Sequence, residues 1–573
     1  MRAQAGGNRA SLEASGRFDA PRGCQTSSRP ATNATTVAPA PEVSAMQEKY
    51  CNIVDCVKKH AREVPKRLAI VAETGSVTYG QLAPKVDLLA RRLLKMGIKK
   101  GDIVGVLSYP RIDAYELHLA LISIGAIWLG INPKYKYPEM EYIANDARPV
   151  ALFFVSEQGD RKYKDDIFKL KSVVDSIKSV VCFDKAIPGG QFFEEVLVND
   201  DVLTDVSIPH SDEEDVAMIV YTSGSSGKPK GCMLRNKSMV HRGQIQIRDF
   251  DFRGEYPILY NPWPMNHVGG IQLISAYSCV AGGTLVFQQS FEAENIGRLV
   301  RENKINILIL LPTMFHLMFS AKSFNLDDFA SVELFMFVGA SLSPDQIRKL
   351  QQLGHGKVQT NYGLTEGHST VTISTPGLDP EILSVTLGQS KSGEVRVLSE
   401  DGKLCGVGMQ GELQIRPEYC MLGYLNRSEA TAAAFTADGW LKTGDRVEVL
   451  QGGEMRLIGR MSEMYKSGGY NIYPREIEMC LEEHPGVGLA AVVKRADELY
   501  GEVGCAYVVP KSGKELNTSE LKAWCKERIA DYKVPKDFII GTSVPLLPNN
   551  KIDKVTLQKQ TRAGQQSVRS EKG

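Results

Sequence analysis

The sequence predicts an α/β protein that continues into a β-rich section and ends in a compact α+β section. From Ile53 to about Pro380, helical periodicity alternates with short apolar strands, which is typical of parallel α/β layers. From Gly388 to Leu457 the pattern changes to alternating strands with glycine turns, which indicates a small β-subdomain. After Arg460, strands and helices are mixed. Because 573 residues exceed what one hydrophobic core usually supports, at least two domains are expected.

The individual elements follow from apolar periodicity and from the glycines and prolines that bound it. Leu82 to Met96 has the spacing of an amphipathic helix. The run from Leu117 to Ile131 carries no charge but is too short to span a bilayer, so it predicts a buried helix end, a break at Gly125 and a strand. The other predicted strands are Ile103–Leu107, Val216–Val220, Ile307–Leu311, Leu334–Val338, Glu394–Val397, Gly411–Ile415, Leu489–Val493 and Ala506–Val509, and the other predicted helices are Ile477–Leu481 and Ser519–Arg528.

Composition and charge argue against several classes of protein. Apolar residues make up 43% of the chain and charged residues 24%, and a net charge of +1 gives no field that favours nucleic acid or an anionic membrane. The 11 cysteines form no C-x-x-C pair and are odd in number, which argues against a disulfide framework or a zinc site and fits a reducing compartment. We expect no nucleic-acid partner, no transmembrane segment, and a monomer or homodimer.

Residues 1–47 differ from the rest of the chain. Ala, Ser, Thr, Pro and Arg dominate and large apolar residues are almost absent, so this arm is predicted to be disordered. Five arginines against three acids within residues 1–45 also resemble an organellar transit peptide. The cysteine pattern, which fits a reducing compartment, favours a cytoplasmic location. A mitochondrial or plastid location is the alternative if the arm is a transit peptide. Residues 561–573 are predicted to be a tail.

The most informative stretch is residues 221–231, which read YTSGSSGKPKG. The apolar run Val216–Val220 before it predicts a buried strand, and its glycines, hydroxyl groups and two lysines suit phosphate oxygens. A Walker P-loop requires G-x-x-x-x-G-K-[ST], but Thr222 stands in place of the first glycine and Pro229 follows Lys228. The stretch predicts a phosphate loop of another kind, with a flexible Gly/Ser linker as the alternative.

Five further motifs follow this loop in a fixed order. They are Asn261–His267 (NPWPMNH), Asn361–Glu366 (NYGLTE), Gly439–Asp445 (GWLKTGD), Gly459–Arg460 with Gly468–Glu478 (GGYNIYPREIE), and Pro548–Lys551 (PNNK). Together the six resemble the adenylate-forming (ANL) superfamily of acyl-CoA synthetases, adenylation domains and beetle luciferases, and in particular its acyl-CoA synthetases and 4-coumarate–CoA ligase-like AMP-binding enzymes. The similarity runs from about residue 50 to residue 560. One motif alone is weak evidence, whereas six in this order are specific.

The resemblance implies a large N-terminal domain of two α/β subdomains and a β-subdomain, followed by a small, mobile α+β C-terminal domain. We expect the AMP-binding domain at residues 48–459, its β-subdomain at about 385–457, and the C-terminal lid domain at residues 460–560. The implied reaction has two steps. A carboxylate attacks the α-phosphate of ATP to give an acyl-adenylate and pyrophosphate, and a thiol then displaces AMP. Because negative charge accumulates at the phosphates, catalysis would depend mainly on positioning and electrostatic stabilisation.

By resemblance, most nucleotide-binding residues lie in these motifs. They are Thr222, Ser223, Gly224, Ser225, Ser226, Gly227, Lys230, Gly339, Ala340, Ser341, Asn361, Tyr362, Gly363, Thr365, Asp445, Arg460 and Gly469. Tyr362 would lie against adenine, Thr365 would touch the α-phosphate, and Glu366 would hold Mg²⁺, which prefers carboxylate oxygens. Asp445, joined by Arg460, would accept hydrogen bonds from both ribose hydroxyls. Local sequence alone also allows a plain helix N-terminus at Thr365–Glu366 and a turn aspartate at Asp445.

The resemblance assigns the adenylation step to Lys551. Its ammonium would bridge the carboxylate and the α-phosphate. The family usually carries glycine before this lysine, whereas this chain has Asn550, which tolerates left-handed backbone angles. Lys554 is the competing candidate, and a solvated turn is the structural alternative.

Three further expectations concern the thiol step. Lys466 and Gly469 would reach the site in the thioester-forming pose, although Gly468–Gly469 alone also fits a simple turn. Ser462 stands at the hinge, where the family commonly carries Asp or Lys. His267 would flank the acyl pocket and gate the thiol, and a satisfied core histidine is the alternative.

The sequence therefore predicts an ATP-dependent acid:CoA ligase that uses ATP, Mg²⁺ and coenzyme A. The segments around His267, Gly339 and Asn361 carry no arginine that would pair with a second carboxylate, which favours a monocarboxylic acid, either aromatic or short- to medium-chain aliphatic. The alternatives are an adenylation enzyme that loads a carrier protein, a luciferase-like adenylating oxygenase, and a non-catalytic nucleotide-binding protein. Sixteen residues follow Leu557, so no fused carrier domain is expected.

Overall fold

The strands are short and numerous. The computed structural model describes residues 50–198, 205–222, 229–390, 393–547 and 552–570. Within these ranges the strands, numbered in chain order, are β1 Leu68–Ala72, β2 Gly75–Thr78, β3 Ile103–Leu107, β4 Ile127–Ile131, β5 Ala151–Phe154, β6 Glu157–Gln158, β7 Arg161–Lys162, β8 Ser179–Cys182, β9 Gln191–Phe192, β10 Val216–Thr222, β11 Lys230–Arg235, β12 Ile258–Asn261, β13 Thr284–Phe287, β14 Ile307–Leu310, β15 Leu334–Val338, β16 Lys357–Tyr362, β17 Thr372–Ile373, β18 Val395–Leu398, β19 Gln410–Ile415, β20 Gly423–Tyr424, β21 Leu441–Val449, β22 Met455–Arg460, β23 Tyr465–Ser467, β24 Tyr470–Ile472, β25 Val487–Asp497, β26 Gly501–Pro510 and β27 Asp537–Ile540.

The helices lie between and after these strands. They are α1 Ile53–Glu63, α2 Tyr79–Lys95, α3 Ile112–Ser123, α4 Tyr137–Ala147, α5 Lys164–Val173, α6 Phe193–Val198, α7 Asn236–Asp249, α8 Tyr277–Ala281, α9 Ile296–Asn303, α10 Pro312–Ser320, α11 Pro344–Gln351, α12 Pro380–Val385, α13 Ser428–Ala434, α14 Pro474–Glu482, α15 Thr518–Arg528 and α16 Lys554–Ser570. A π-helix covers Gly269–Ala276, and short 3₁₀ turns cover Leu326–Phe329, Thr365–Gly367, Pro417–Tyr419, Gln451–Gly453 and Asp531–Lys533.

Two large sheets form the first part of the fold. In the described residues their strand orders are β17-β16-β15-β14-β12-β13-β1-β2 and β20-β11-β10-β4-β3-β5-β8-β9. Strands β14 and β15 are buried along their whole length, because a parallel sheet with helices on both faces leaves neither side of a central strand in water. The predicted pair of α/β subdomains is confirmed.

The first sheet places the motifs along one edge. Strands β12, β14, β15 and β16 run parallel, so their carboxyl ends lie side by side. The loops that follow them carry His267, Gly339 and the segment Tyr362–Glu366. Ligands of open α/β sheets bind in the crevice beyond these strand ends. This edge is therefore where the site is to be sought.

The smaller sheets match the predicted change of pattern. Strands β18, β19, β21 and β22 form an antiparallel sheet in which Asp445 pairs directly with Arg460. After it, β23–β26 form an antiparallel sheet to which β27 adds in parallel. Helices α14 and α15 cover that sheet through a core that includes Ile477, Leu481 and Leu521. The predicted β-subdomain and α+β section are both present.

The segment from Leu117 to Ile131 folds as expected. Helix α3 ends at Ser123, the chain turns at Gly125 with a φ of +69°, and β4 begins at Ile127. In the described part of the chain, no helix combines the length and the apolar character that a membrane crossing requires.

Candidate active site

The predicted phosphate loop joins two paired strands. Strands β10 and β11 are antiparallel, and their register ends with Thr222 opposite Lys230. Ser223, Gly224, Ser225, Ser226 and Gly227 lie outside the described residues. The described ends of the hairpin hold Thr222 and Lys230 as neighbours at the rim of the second sheet.

Lys230 lies beside a tyrosine that also contacts the predicted metal ligand. The Lys230 ammonium is 5.0 Å from the centre of the Tyr424 ring, and the Tyr424 hydroxyl donates a 3.0 Å hydrogen bond to Glu366 Oε1. Burial, together with the nearby Glu366 carboxylate, raises the pKa of Tyr424, so the phenol keeps its proton and acts as the donor. Glu366 is thereby tied to β20, which pairs with β11, the strand that follows the phosphate loop. One carboxylate beside a polyphosphate site is an arrangement that suits Mg²⁺.

The 3₁₀ turn Thr365–Gly367 is held by its backbone as well. Met421 N–H donates to Glu366 O at 2.7 Å, and Arg242 Nε donates to Gly367 O at 3.2 Å. Arg242 is fully buried, and its other nitrogens bond Glu394 Oε2 at 2.8 Å and Tyr419 O at 3.2 Å. Because a buried guanidinium needs a counter-charge, Glu394 fixes Arg242 and Arg242 fixes the turn.

Gly363 allows this turn to close. His368 and Ser369 have positive φ angles of 59° and 77°, and they bring the chain back over Gly363. A Cβ at Gly363 would lie 1.4 Å from Ser369 O, which is a backbone atom that cannot move aside alone. The glycine of the NYGLTE motif therefore serves close packing rather than a special torsion.

Gly363→Ala is expected to lower the free energy of unfolding by about 3 kcal/mol, because the new methyl group must displace the Ser369 carbonyl. Urea unfolding would measure the loss. Gly406→Ala is the matched control, since a Cβ there meets nothing within 4 Å, and it is expected to change stability by less than about 0.5 kcal/mol. Equal stabilities of the two variants would contradict the close-packing role.

Tyr362, Asp445 and Arg460 form a second cluster. Asp445 is 1% exposed, its Oδ2 accepts a 2.6 Å hydrogen bond from the Tyr362 hydroxyl, and Arg460 Nε lies 3.1 Å from its Oδ1. Burial and Asp445 raise the pKa of Tyr362, and Asp445 raises that of Arg460. Among the described residues, none donates a hydrogen bond to Oδ1. A buried carboxylate oxygen with unused accepting capacity beside a cation suits hydroxyl donors.

The predicted adenine loop lies next to this cluster. Val338 pairs with Asn361, so Gly339, Ala340 and Ser341 begin where β15 ends, alongside the segment that follows β16. Gly339 has a φ of +81°, and all three loop residues are exposed. Asn361 is buried and donates from Nδ2 to Thr370 Oγ1 at 3.0 Å. Its side chain therefore joins the end of β16 to Thr370.

His267 lies farther along the same edge, half-buried at the start of the π-helix. Its Nδ1 accepts a 3.0 Å hydrogen bond from Gly269 N–H, so in the neutral ring Nε2 carries the proton. A Cβ on Gly269 or Gly270 would lie 2.4 Å from Trp263 or 2.7 Å from Pro264 O, respectively. The histidine is thus fixed on a tightly packed turn, and π-helical segments are frequent at functional sites.

Lys554, the competing candidate, is paired with two carboxylates. Its ammonium contacts Glu463 Oε2 at 2.5 Å and Glu478 Oε1 at 2.8 Å, and the side chain is mostly buried. Burial opposes the charge, yet Glu478 and Glu463 raise the pKa of Lys554. A lysine paired with two carboxylates is a structural tie, which leaves Lys551 as the candidate. Lys551 and Asn550 lie outside the described residues; the chain on either side is joined by a bridge between Leu546 and Ile552.

Lys466 and Gly469 lie on the β23–β24 hairpin of the C-terminal sheet. Lys466 N–H donates to Glu502 Oε2 at 3.2 Å, and Gly469 turns the hairpin with a φ of +88°. Both are exposed. Ser462 follows Arg460 in a turn that Met464 N–H closes by bonding Arg460 O. Its exposed side chain places no burial constraint on the hinge position.

Sequence reasoning missed Tyr424, Arg242 and Glu394. None of them lies in the quoted motifs, and each contacts the Glu366 turn, or its partner, across a long sequence separation. A lone tyrosine, arginine or glutamate gives no periodic or spacing signal. Tyr424 is preceded by Gly423, and this Gly-Tyr pair is the only local cue.

The chain is similar to known proteins over most of its length. The chain matches the AMP-binding enzyme family over residues 57–425 and the AMP-binding enzyme C-terminal domain over residues 476–551. It is 28% identical over 537 residues to the medium-chain acyl-CoA ligase ACSF2, mitochondrial, of Macaca fascicularis, which covers 88% of this chain and 86% of that protein.

Two further similarities extend this result. The chain is 29% identical over 502 residues to the indoleacetate–CoA ligase of Aromatoleum aromaticum, which covers 87% of this chain and 96% of that protein. The crystal structure of the anthranilate CoA ligase AuaEII in complex with anthranoyl-AMP is similar with a TM-score of 0.81 and 23% identity, covering 90% of this chain and 98% of that chain. Because the identity is only 23%, this structural similarity supports the fold and not a shared substrate.

Proposed function

Since the chain belongs to the AMP-binding enzyme family and is an AMP-forming acid–thiol ligase, we propose that it converts a monocarboxylic acid to its coenzyme A thioester with ATP and Mg²⁺. One observation carries the proposal. The short segment Tyr362–Glu366 joins the two clusters, with Tyr362 on Asp445 and Glu366 on Tyr424 beside Lys230. The proposed ribose site and the proposed polyphosphate site thus lie at the two ends of one short segment.

In the first half-reaction, a carboxylate oxygen of the acid bonds to the α-phosphorus while the bond from that phosphorus to the bridging oxygen of pyrophosphate breaks. Asp445 and Arg460 hold the ribose, and Lys230 with the hydroxyls of the phosphate loop stabilises the departing pyrophosphate. Thr365 contacts the α-phosphate, and Lys551 offsets charge where the two reacting oxygens meet. Mg²⁺, held by Glu366, would neutralise part of the phosphate charge.

In the second half-reaction, the thiol loses its proton to solvent and its sulfur bonds to the carbonyl carbon of the adenylate, while the bond from that carbon to the phosphate oxygen breaks and AMP leaves. His267 is the residue we place between the acyl pocket and the thiol. Its Nδ1 accepts a hydrogen bond from the Gly269 amide, which fixes the orientation of the ring and leaves the proton of the neutral ring on Nε2. Lys466 and Gly469 come to the site when the C-terminal domain rotates at Ser462.

The acid we propose is aromatic or short- to medium-chain aliphatic, with one carboxyl group. The buried side chains Trp263 and Val268 beside His267 are apolar. Arg242 packs near the Glu366 turn, but it is fully buried and its charge is already paired with Glu394, so it is not a free cation for a second carboxylate. The relatives named for medium-chain acids and indoleacetate act on acids of this class.

Coenzyme A is the thiol that the C-terminal surface favours over a carrier protein. Next to Gly469, Tyr470 stacks on Tyr532 with ring centres 4.3 Å apart, and these rings are 57% and 42% exposed. Lys536 lies 4.6 Å from the centre of the nearby Tyr500 ring. Exposed aromatic faces with lysines beside them suit a purine base and its phosphates.

The activity is tested by incubating the purified protein with ATP, Mg²⁺, coenzyme A and a panel of aromatic and aliphatic acids. Acid-dependent AMP release with thioester formation is the expected result. Adenylate trapped as hydroxamate without thioester would favour a carrier-loading enzyme. Absence of both AMP and hydroxamate across the panel would refute the proposed adenylating activity.

The thiol preference gives a sharper prediction. Replacing coenzyme A by pantetheine is expected to lower kcat/KM by about 10- to 100-fold, because a stacked base contributes about 1–3 kcal/mol. Tyr532→Ala should remove most of that difference while leaving ATP–pyrophosphate exchange unchanged. Leu404→Ala, at a side chain 70% exposed on the β-subdomain, is the control. Equal use of both thiols by the parent enzyme would contradict the proposed stacking of the purine base on Tyr470 and Tyr532.

A further inference from the structure

Tyr424 occupies a position that connects the two charged groups of the polyphosphate site. Its hydroxyl donates to Glu366 Oε1 at 3.0 Å, and its ring centre lies 5.0 Å from the Lys230 ammonium. No described residue donates a hydrogen bond to the second oxygen of Glu366, Oε2, so this oxygen remains for another ligand. The tyrosine thus determines which carboxylate oxygen faces the site.

The backbone around Tyr424 is fixed from two sides. Strand β20 pairs with β11, with Tyr424 opposite Cys232, and Leu425 N–H donates to Gly231 O at 2.8 Å. Tyr424 N–H donates to Thr431 Oγ1 at 2.9 Å. The ring therefore moves with the strand that begins at Lys230, and it is not a mobile surface side chain.

The same segment is also tied to the turn that carries Glu366. Met421 N–H donates to Glu366 O, and Leu422 N–H donates to Met233 O on β11. Glu366 is thus held by its backbone carbonyl and by Oε1, both from residues 421–424. Such double fixation leaves the carboxylate little rotational freedom, which is the condition for a pre-organised metal ligand.

We propose that Tyr424 is a positioning residue for the Mg²⁺–ATP site: its hydroxyl holds Glu366 with Oε2 directed at the metal, and its ring holds Lys230 beside the phosphates. This inference rests on the proposed function, because Glu366 and Lys230 are the groups that would meet Mg²⁺–ATP. It adds a residue from outside the quoted motifs. Partners of metal-ligating carboxylates typically contribute about 10- to 100-fold in metal affinity or activity.

The test separates the hydroxyl from the ring. Tyr424→Phe removes the hydrogen bond and keeps the ring, and it is expected to raise the Mg²⁺ concentration for half-maximal ATP binding by about 10-fold. The affinity for ATP in the presence of EDTA should change by less than about 2-fold. Isothermal titration calorimetry measures both without any acid substrate, so the result does not depend on finding the acid.

Tyr424→Leu tests the ring. It should show the same loss of Mg²⁺ affinity and, in addition, weaken ATP binding in EDTA by about 3- to 5-fold, because Lys230 loses a contact of about 0.5–1 kcal/mol. Identical EDTA affinities for the Phe and Leu variants would overturn the role of the ring. An unchanged Mg²⁺ requirement in Tyr424→Phe would overturn the role of the hydroxyl.

A matched control keeps the chemical change constant. Tyr137 donates from its hydroxyl to Glu141 Oε1 at 2.8 Å on helix α4, so Tyr137→Phe removes the same kind of bond elsewhere. It should leave both affinities unchanged. If Tyr424→Phe instead weakens ATP equally with and without Mg²⁺, Tyr424 has only a general structural role and the positioning proposal is wrong. A failure of the acid panel, by contrast, would leave these binding results intact.

Discussion

Lys551→Ala is expected to slow acid-dependent ATP–pyrophosphate exchange by on the order of 10²- to 10³-fold, the cost of removing one preorganised charge or donor from a transition state. Two negatively charged oxygens share the α-phosphorus in that transition state, and Lys551 is the cation proposed to lie between them. Thiolysis of a supplied acyl-adenylate begins after this charge has dispersed. We therefore expect that half-reaction to change by less than about 3-fold.

Lys554→Met is the comparison that makes this result specific. Lys554 is tied to Glu463 and Glu478, so its loss leaves a buried carboxylate without its cation and lowers stability. Both half-reactions should then fall together, if they fall at all. A Lys551→Ala enzyme with equal losses in adenylation and thiolysis would refute the role of Lys551. A selective loss of adenylation in Lys554→Met would transfer the role to Lys554.

The elements best predicted from sequence are those with local boundaries. Strand β3 matches the predicted Ile103–Leu107, and β15 matches Leu334–Val338, because each apolar run is bounded by polar residues or by Gly339. Strand β14 ends at Leu310, one residue before the predicted end, since Leu311 already precedes helix α10 at Pro312. Glycine and proline mark such limits in the sequence itself.

Other elements depend on contacts that no local pattern contains. Strands β25 and β26 are about twice the predicted length, because their long antiparallel pairing continues through polar residues as far as Asp497 and Gly501. The π-helix Gly269–Ala276 was not predicted either. Apart from Gln272 and Ser275 its residues are apolar or glycine, which fits a buried strand or helix equally well.

The site shows the same division. The motifs identify Tyr362, Glu366, Asp445 and Arg460, and the structure brings these residues into two linked clusters. What the motifs do not contain is the frame that holds them, such as the Arg242–Glu394 pair, whose partners are 152 residues apart. A buried ion pair is recognisable only once both charges are known to be desolvated.

The second large effect is expected at Asp445. Asp445→Ala should weaken ATP binding by about 100-fold or more, because each hydrogen bond to a charged acceptor contributes about 1.5–3 kcal/mol and two ribose hydroxyls are proposed to donate. Three features motivate this expectation: Asp445 is buried, it is paired with Arg460, and its Oδ1 accepts no hydrogen bond from a described residue. Calorimetric titration with ATP measures the loss. Asp438→Ala removes the ion pair between the exposed Asp438 and Arg396 in the same β-subdomain and should leave ATP affinity unchanged.

Deoxynucleotides separate recognition of the ribose from simple destabilisation. The parent enzyme should bind ATP about 10-fold more tightly than 2′-deoxy-ATP or 3′-deoxy-ATP, since each analogue lacks one donor to Asp445. In Asp445→Ala this preference should disappear, because a methyl group cannot accept from either hydroxyl. A variant that binds all three nucleotides weakly but keeps the preference would show that the ribose is recognised elsewhere, and Asp445 would then serve only to hold Tyr362 and Arg460.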